Sequence, residues 1–186
     1  MNIDIKDIIN EHILTAKNLL DDSDLIEEIC SLSLRTIQQG NTILLCGNGG
    51  SASDSIHISS ELVGKFEKRR KALPSISLSS NPSNLTAIAN DFGFEHIFSR
   101  QIEAIGKKGD LLIAISTSGN STNIINAINY ASLNELNVVA LTGKDGGKIN
   151  EMDCITLKVP NDNVARIQEM HILVGHIISK YIEKNI

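Results

Sequence analysis

Apolar residues recur at three- and four-residue spacing from the start of the chain. Ile5, Ile8, Ile9, Ile13, Ala16, Leu19 and Leu20 fall on one stripe with His12 among them, as an amphipathic helix requires. Asp21-Asp22-Ser23-Asp24 interrupts the stripe and supplies capping residues for a second helix, Leu25 to Gln39, which Gly40 ends. Beyond Asn41 the pattern changes to short continuous apolar runs at Thr42–Cys46, Ser75–Ser79, Asp110–Ser116, Asn137–Thr142 and Cys154–Val159. Segments with helical periodicity lie between them, one from about Ser51 to Val63, and a last one runs from about Val164 to Glu183. Unbroken apolar runs suit strands buried on both faces, and their alternation with helices predicts a parallel sheet. The expected fold is therefore α/β: three layers, α/β/α, around a five-stranded parallel sheet of flavodoxin-like order 2-1-3-4-5.

The two N-terminal helices are extra to this plan. Four helices serve as crossovers and the last packs back on the sheet, so both sheet faces can be covered without residues 1–40. Each extra helix still has an apolar stripe to bury. We expect the pair to make a subunit contact, since an exposed stripe of that length is a large patch. The whole chain, 1–186, reads as one domain, with residues 41–186 as the α/β core.

Composition narrows the function classes. No apolar run reaches the roughly 20 residues of a membrane span, and the first six residues are mixed and acidic rather than a secretory signal. The net charge of −5 gives no electrostatic case for nucleic acid. Cys30, Cys46 and Cys154 form no CxxC, and Cys46 and Cys154 fall in predicted strands as buried thiols. This usage fits a reducing cytoplasm. The one basic run, Lys65-Phe66-Glu67-Lys68-Arg69-Arg70-Lys71, reads as a solvated loop.

Candidate chemistry sits after the first and third strands. Cys46-Gly47-Asn48-Gly49-Gly50-Ser51 is a glycine-rich turn leading into a helix. Its backbone N–H groups are open to close approach, and the helix start adds donors suited to an anion. His57 and Glu61, four residues apart, share one face of that helix. They can serve a ligand or form an ordinary exposed pair. The second loop, Ser116-Thr117-Ser118-Gly119-Asn120-Ser121-Thr122, sets five hydroxyls around a glycine where the helix Asn123–Leu133 begins. Hydroxyls and N–H groups together can hold a phosphate dianion without a lysine. In the order 2-1-3-4-5, strands one and three are neighbours at the topological switch point. Their two loops then face each other across one crevice, where such sheets bind ligands. The last helix buries Ile167, Met170, Val174, Ile177, Ile178 and Tyr181. Gln168, His171, Gly175 and, at the edge, His176 form a second face that reads as packed.

Several segments resemble the sugar isomerase (SIS) domain family. They are CGNGGS at Cys46–Ser51, the His57/Glu61 pair, NDFGFEHIFSRQ at Asn90–Gln101, ISTSGNS at Ile115–Ser121, LTGKDGGK at Leu141–Lys148, and RIQEMHI at Arg166–Ile172 followed by His176. The resemblance implies an aldose–ketose isomerase converting D-sedoheptulose 7-phosphate to D-glycero-D-manno-heptose 7-phosphate for surface glycans such as lipopolysaccharide or capsule. It implies one Zn²⁺ per subunit, held by His57, Glu61, Gln168 and His176, and an acid–base pair of Glu61 and His176. It implies substrate contacts from Asn48, Gly49, Gly50, Ser51, Glu61, Asn90, Asp91, Ser116, Thr117, Ser118, Ser121 and Gln168. It also implies a cytoplasmic homotetramer with active sites between subunits, and no nucleic-acid or membrane partner. One position departs: some members carry an aspartate where this chain has Ala165. A non-enzymatic relative that binds the bacterial replication initiator lacks the carboxylate and histidine matching Glu61 and His176. A regulator that senses a sugar phosphate is a further alternative, but no DNA-binding segment is present.

The implied metal ligands pose a geometric question. Eight residues of helix separate Gln168 from His176 by ~12 Å along the axis. Zinc donors must each come within about 2.0–2.2 Å of the metal. Either the two side chains converge at full stretch, or one of them comes from a neighbouring subunit.

Overall fold

The structure, a computed structural model, describes residues 4–186. Helices α1 (Ile5–Asn18) and α2 (Ser23–Gln38) precede β1 (Ile43–Gly47) and α3 (Gly50–Val63). Then come β2 (Ser75–Ser77), α4 (Pro82–Phe92), α5 (Ser99–Ile105), β3 (Leu111–Ser116) and α6 (Thr122–Leu133). β4 (Asn137–Gly143), β5 (Ile155–Val159) and α7 (Val164–Asn185) complete the fold. All strand pairs are parallel and the order is β2-β1-β3-β4-β5, as the apolar runs predict. Among the described residues, no helix is long and apolar enough to cross a membrane.

Successive strand residues point to opposite sides of the sheet, so each strand feeds two cores. Leu45, Ile113, Ile115, Val139 and Leu141 pack with Ile29 of α2, Ile58 and Leu62 of α3, and Ile167, Met170, Val174 and Ile178 of α7. Leu44, Cys46, Leu112, Ala114 and Ala140 pack with Phe98, Ile102, Ile124, Ala127 and Ile128 on the other side. Asp110 ties the start of β3 to β1: its buried carboxylate accepts the N–H groups of Thr42 (2.8 Å) and Lys107 (2.9 Å).

Four sequence expectations need correction. α2 is not surplus: Ile26, Ile29 and Cys30 are buried in the core beside α7. The uncovered stripe belongs to α1, where Ile5, Ile8, Ile9, Ile13 and Leu14 are exposed. β2 stops at Ser77: residues 78–80 form a turn, although the Leu78 N–H still donates to the Leu45 carbonyl (2.8 Å). Cys154 lies just before β5 and is only partly buried; Cys46 is fully buried, which pushes its thiol up to about 12. The basic run is not wholly solvated either, since Arg70 is sunk against Glu183 with 9% of its side chain exposed.

A polar network fastens α1 to the start of α7. Arg166 donates to the Ile8 carbonyl (3.0 Å) and to Glu169, whose other oxygen lies 2.7 Å from His12 Nδ1. Further along α7, the expected second packed face is present. His171 is fully buried, with Nε2 2.9 Å from the Thr142 carbonyl. Burial pushes its pKa down to about 4, the Thr142 contact opposing part of the shift. The unfolded chain therefore binds a proton near pH 6.5 that the folded chain refuses until about pH 4. Stability from this group is complete above about pH 6.5 and is lost as pH falls towards 4, by up to about 3 kcal/mol. Urea midpoints measured across that window should fall more steeply for the wild type than for His171→Gln. Equal slopes would assign the loss to other groups.

Candidate active site

The first loop is short because the chain must turn from β1 straight into α3. Gly49 makes the turn at φ 55° and ψ −121°, a conformation that a residue with a Cβ resists. Ser51 is buried in the first turn of α3. Asn48 is fixed from across the sheet. Its amide N–H donates to Asn123 Oδ1 (2.9 Å), and the Asn123 amide donates back to Asn48 Oδ1 (2.8 Å). Asn123 is 2% exposed and its oxygen also accepts the Ile124 N–H. The loops after β1 and β3 are thus joined directly at the switch point, as the strand order implies. Beside the joint lies a cavity of ≈ 490 Å³ lined by Asn48, Phe94, Glu95, Ser121, Thr122 and Asn123.

The second loop is held from behind by the turn after β4. Gly143 N–H donates to the Thr117 carbonyl (3.1 Å), and Ile149 N–H donates to that of Gly119 (3.1 Å). The two turns press together where Gly119 has φ +64°. A Cβ there would stand 1.8 Å from the Gly146 carbonyl oxygen. Ser116 Oγ donates to Ser121 Oγ (3.2 Å). Ser121 is the N-cap of α6, yet its side chain makes no capping bond. Among the described residues, the Ser121 hydroxyl proton and the Thr122 and Asn123 N–H groups at the start of this 12-residue helix have no acceptor, a set of donors suited to an anion.

Helices α3 and α7 run in the same direction, side by side. The Gln168 amide lies against Gly50, Gly175 lies against Ile58, and His176 meets His57 and Glu61. Close approach is possible because Gly175 has no side chain: a Cβ there would stand 2.4 Å from Ile58 Cδ1. One ligand atom each from His57, Glu61 and His176 lie within 4.8 Å of one another. His57 Nε2 is 3.2 Å from Glu61 Oε1, and the His57 and His176 rings meet edge-on at 5.1 Å. Two imidazoles and a carboxylate are common zinc donors. A tetrahedral ion spaces its donors about 3.4 Å apart, from bonds of about 2.1 Å, so the three need only close slightly. The residues present fit a metal ion.

His176 therefore meets His57 and Glu61 within one chain, while the Gln168 amide lies beside Gly50, nearer the start of α3. Gly50 and His57 are two helical turns apart, about 10 Å along the axis. Asn90 and Asp91 are exposed on α4 and bond each other (2.7 Å). Among the described residues they make no hydrogen bond to either loop. Ala165 follows the N-cap Asn163 on α7, with its N–H bonded to the cap, so no carboxylate stands there. Two residues went unnoticed in the sequence. Asn123 carried only a weak signal, its place just inside a helix start. Asp54 precedes His57 by one turn; burial raises its pKa, against the pull of His57, and its Oδ2 has no hydrogen-bond partner.

Comparison with known proteins agrees with this layout. A family model described as SIS domain matches residues 11–143. The phosphoheptose isomerase of Aliarcobacter butzleri is 50% identical over 161 residues, covering 87% of this chain and 85% of the relative. That of Helicobacter pylori (strain P12) is 45% identical over 186 residues, with 97% of each chain covered. The solved structure of the phosphoheptose isomerase from Neisseria gonorrhoeae superimposes with a TM-score of 0.91 at 40% identity, again over 97% of each chain. The chain belongs to the SIS domain family, and within it to the phosphoheptose isomerases.

Proposed function

We propose that this protein is an aldose–ketose isomerase that converts D-sedoheptulose 7-phosphate to D-glycero-D-manno-heptose 7-phosphate. The observation that carries the reading is the meeting of Glu61 and His176 at one end of α3, while the glycine turn and hydroxyl loop meet at the other. The regulator alternative is not favoured, because both residues that its relative lacks are present and face each other.

The reaction moves one proton from C1 to C2 and another between their oxygens. Glu61 is the base that takes the proton from C1 and returns it to C2 of the enediol. His176 gives a proton to O2 and accepts one from O1. His57, Glu61 and His176, with Gln168 as the fourth ligand, would hold a Zn²⁺, which would polarise the carbonyl as a Lewis acid. Ser116, Thr117, Ser118 and Ser121, with the N–H groups at the start of α6, hold the phosphate. Asn48, Gly49, Gly50 and Ser51 present the turn to the sugar.

Gln168, beside Gly50, contacts the sugar of its own chain in this reading and is the fourth metal ligand, either stretched along the α3–α7 seam or supplied by a neighbouring copy. Asn90 and Asp91, exposed on α4 and bonded to each other, contact substrate at the subunit boundary in this reading. The exposed face of α1 supports such an assembly. So does an apolar cavity of ≈ 340 Å³ lined by Ala16, Leu19, Leu20, Ile26, Leu173 and Ile177. We read the assembly as a cytoplasmic homotetramer with one Zn²⁺ per subunit, feeding heptose into surface glycans.

Incubation with sedoheptulose 7-phosphate, followed by NMR for the aldose product, tests the activity. Product from the phosphate ester and almost none from free sedoheptulose is the expected result. No product from either overturns the proposal. The Asn48–Asn123 pair gives a finer check. Asn123→Asp removes the donor facing Asn48 Oδ1 and sets two oxygens against each other. Losing about 1–1.5 kcal/mol of bonding should raise KM roughly tenfold. Metal content should be unchanged, since the pair lies two turns from His57. An unaltered KM would show that Asn48 needs no such support.

A further inference from the structure

The loop after α3 carries a buried ion pair that the mechanism does not use. The Glu183 carboxylate, on the last turns of α7, accepts three successive backbone N–H groups: Phe66 (3.1 Å), Glu67 (2.7 Å) and Lys68 (2.9 Å). Arg70 Nε lies 3.2 Å from the same carboxylate. The other end of Arg70 closes the C-terminus of α3. It donates to the carbonyls of Glu61 (2.7 Å), Leu62 (2.8 Å), Lys71 (3.1 Å) and Gly64 (3.4 Å). Glu61 and Leu62 lie in the last turn of α3 and Gly64 is its C-cap, so the guanidinium meets carbonyls at the negative end of the helix, where it is favoured. The side chains of Arg70 and Glu183 are 9% and 4% exposed. Burial alone raises the Glu183 carboxyl; the three N–H donors and Arg70 outweigh it and hold the pKa below its usual value.

The clamped loop bears directly on the metal ligands. Phe66, whose N–H is bonded to Glu183, lays its ring against His176 with centroids 5.6 Å apart. His176 is thereby flanked by Phe66 on one side and His57 on the other. Arg70 meanwhile grips the backbone of Glu61 itself. The same pair therefore touches the supports of two ligands that come from different helices.

We propose that Glu183 and Arg70 are positioning residues for the metal site: they fix Glu61 through its carbonyl and His176 through the Phe66 ring. The inference rests on the reading of His57, Glu61 and His176 as metal ligands. Ligand geometry held by surrounding contacts typically governs metal affinity by about 10–100-fold. A carboxamide at 183 keeps the shape but turns a donor towards the three N–H groups and leaves Arg70 unpaired.

The test is titration of the metal-free protein with Zn²⁺ and with Co²⁺, whose visible spectrum reports ligand geometry. Variants would be Glu183→Gln, Phe66→Ala, Phe66→Tyr and, as a control on α7, Lys180→Ala, which removes only the exposed pair with Glu67 of the loop. Glu183→Gln and Phe66→Ala should bind metal at least about tenfold more weakly and show an altered cobalt spectrum. Phe66→Tyr keeps the ring and should behave as the wild type, as should Lys180→Ala. Affinities within twofold of wild type for both Glu183→Gln and Phe66→Ala would overturn the inference. Should Glu183→Gln fail to fold, Phe66→Ala decides alone. A wild type that binds no metal overturns the ligand reading instead, and so separates the two failures.

Discussion

Glu61→Gln should bind sedoheptulose 7-phosphate and almost fail to turn it over, with kcat down by about a hundredfold to ten-thousandfold. That is the range for losing a positioned base. Glutamine keeps the length of the side chain and its packing. It removes the only carboxylate within reach of both His57 and His176 in the ligand cluster. The loop proposed to hold the phosphate lies at the far end of α3, so the binding constant should change little. Product formation should be measured together with bound metal, because an amide is also a weaker ligand. A variant that retains metal and loses turnover assigns the loss to the base. Turnover within about tenfold of wild type, only ~1.4 kcal/mol in the barrier, rules Glu61 out as the main base.

Gly175→Val should separate α3 from α7 and cost both stability and metal binding. A glycine inside a helix is ordinarily improved by a side chain, since glycine costs roughly 0.8–1.0 kcal/mol against alanine there. At position 175 even a first carbon would stand 2.4 Å from Ile58, itself 1% exposed. The added atoms have nowhere to go except between the helices. Overpacking of this kind costs about 1–3 kcal/mol. The wedge sits one residue from His176 and opposite the helix that carries His57 and Glu61. Metal affinity should drop more than tenfold, and a second change, Ile58→Ala, should restore much of it by making room. Gly175→Val with unchanged melting temperature and metal affinity would show that the helices yield without disturbing the ligands.

The sheet was readable in the sequence because parallel strands buried on both faces leave unbroken apolar runs. Leu111-Leu112-Ile113-Ala114-Ile115 has no other economical explanation. The crevice followed from strand order, since only one arrangement sets the loops after β1 and β3 together. What α2 packs against was not readable. An amphipathic stripe states that a face is buried and is silent about its partner, so α2, which faces α7, looked surplus. Arg70 was misread for a related reason: nearby charges suggested solvent, while its partner Glu183 lies almost at the other end of the chain. Straight-helix geometry raised the question of how Gln168 and His176 could share a metal. Which of the two stays beside His57 depends on the register between α3 and α7, and that register is set by Gly175 on Ile58.

The parallel pairing of α3 with α7 also has a consequence for the order of folding. His57 and Glu61 are synthesised early and His176 late, with most of the sheet between them. The ligand cluster cannot exist until β3, β4 and β5 have added to the sheet and α7 has docked across it. Contacts of such long sequence separation form slowly. A nascent or partly folded chain therefore offers only a two-residue half-site, too poor to hold an ion firmly. Capture of a metal at this cluster would then be a late event, after α7 has docked on α3.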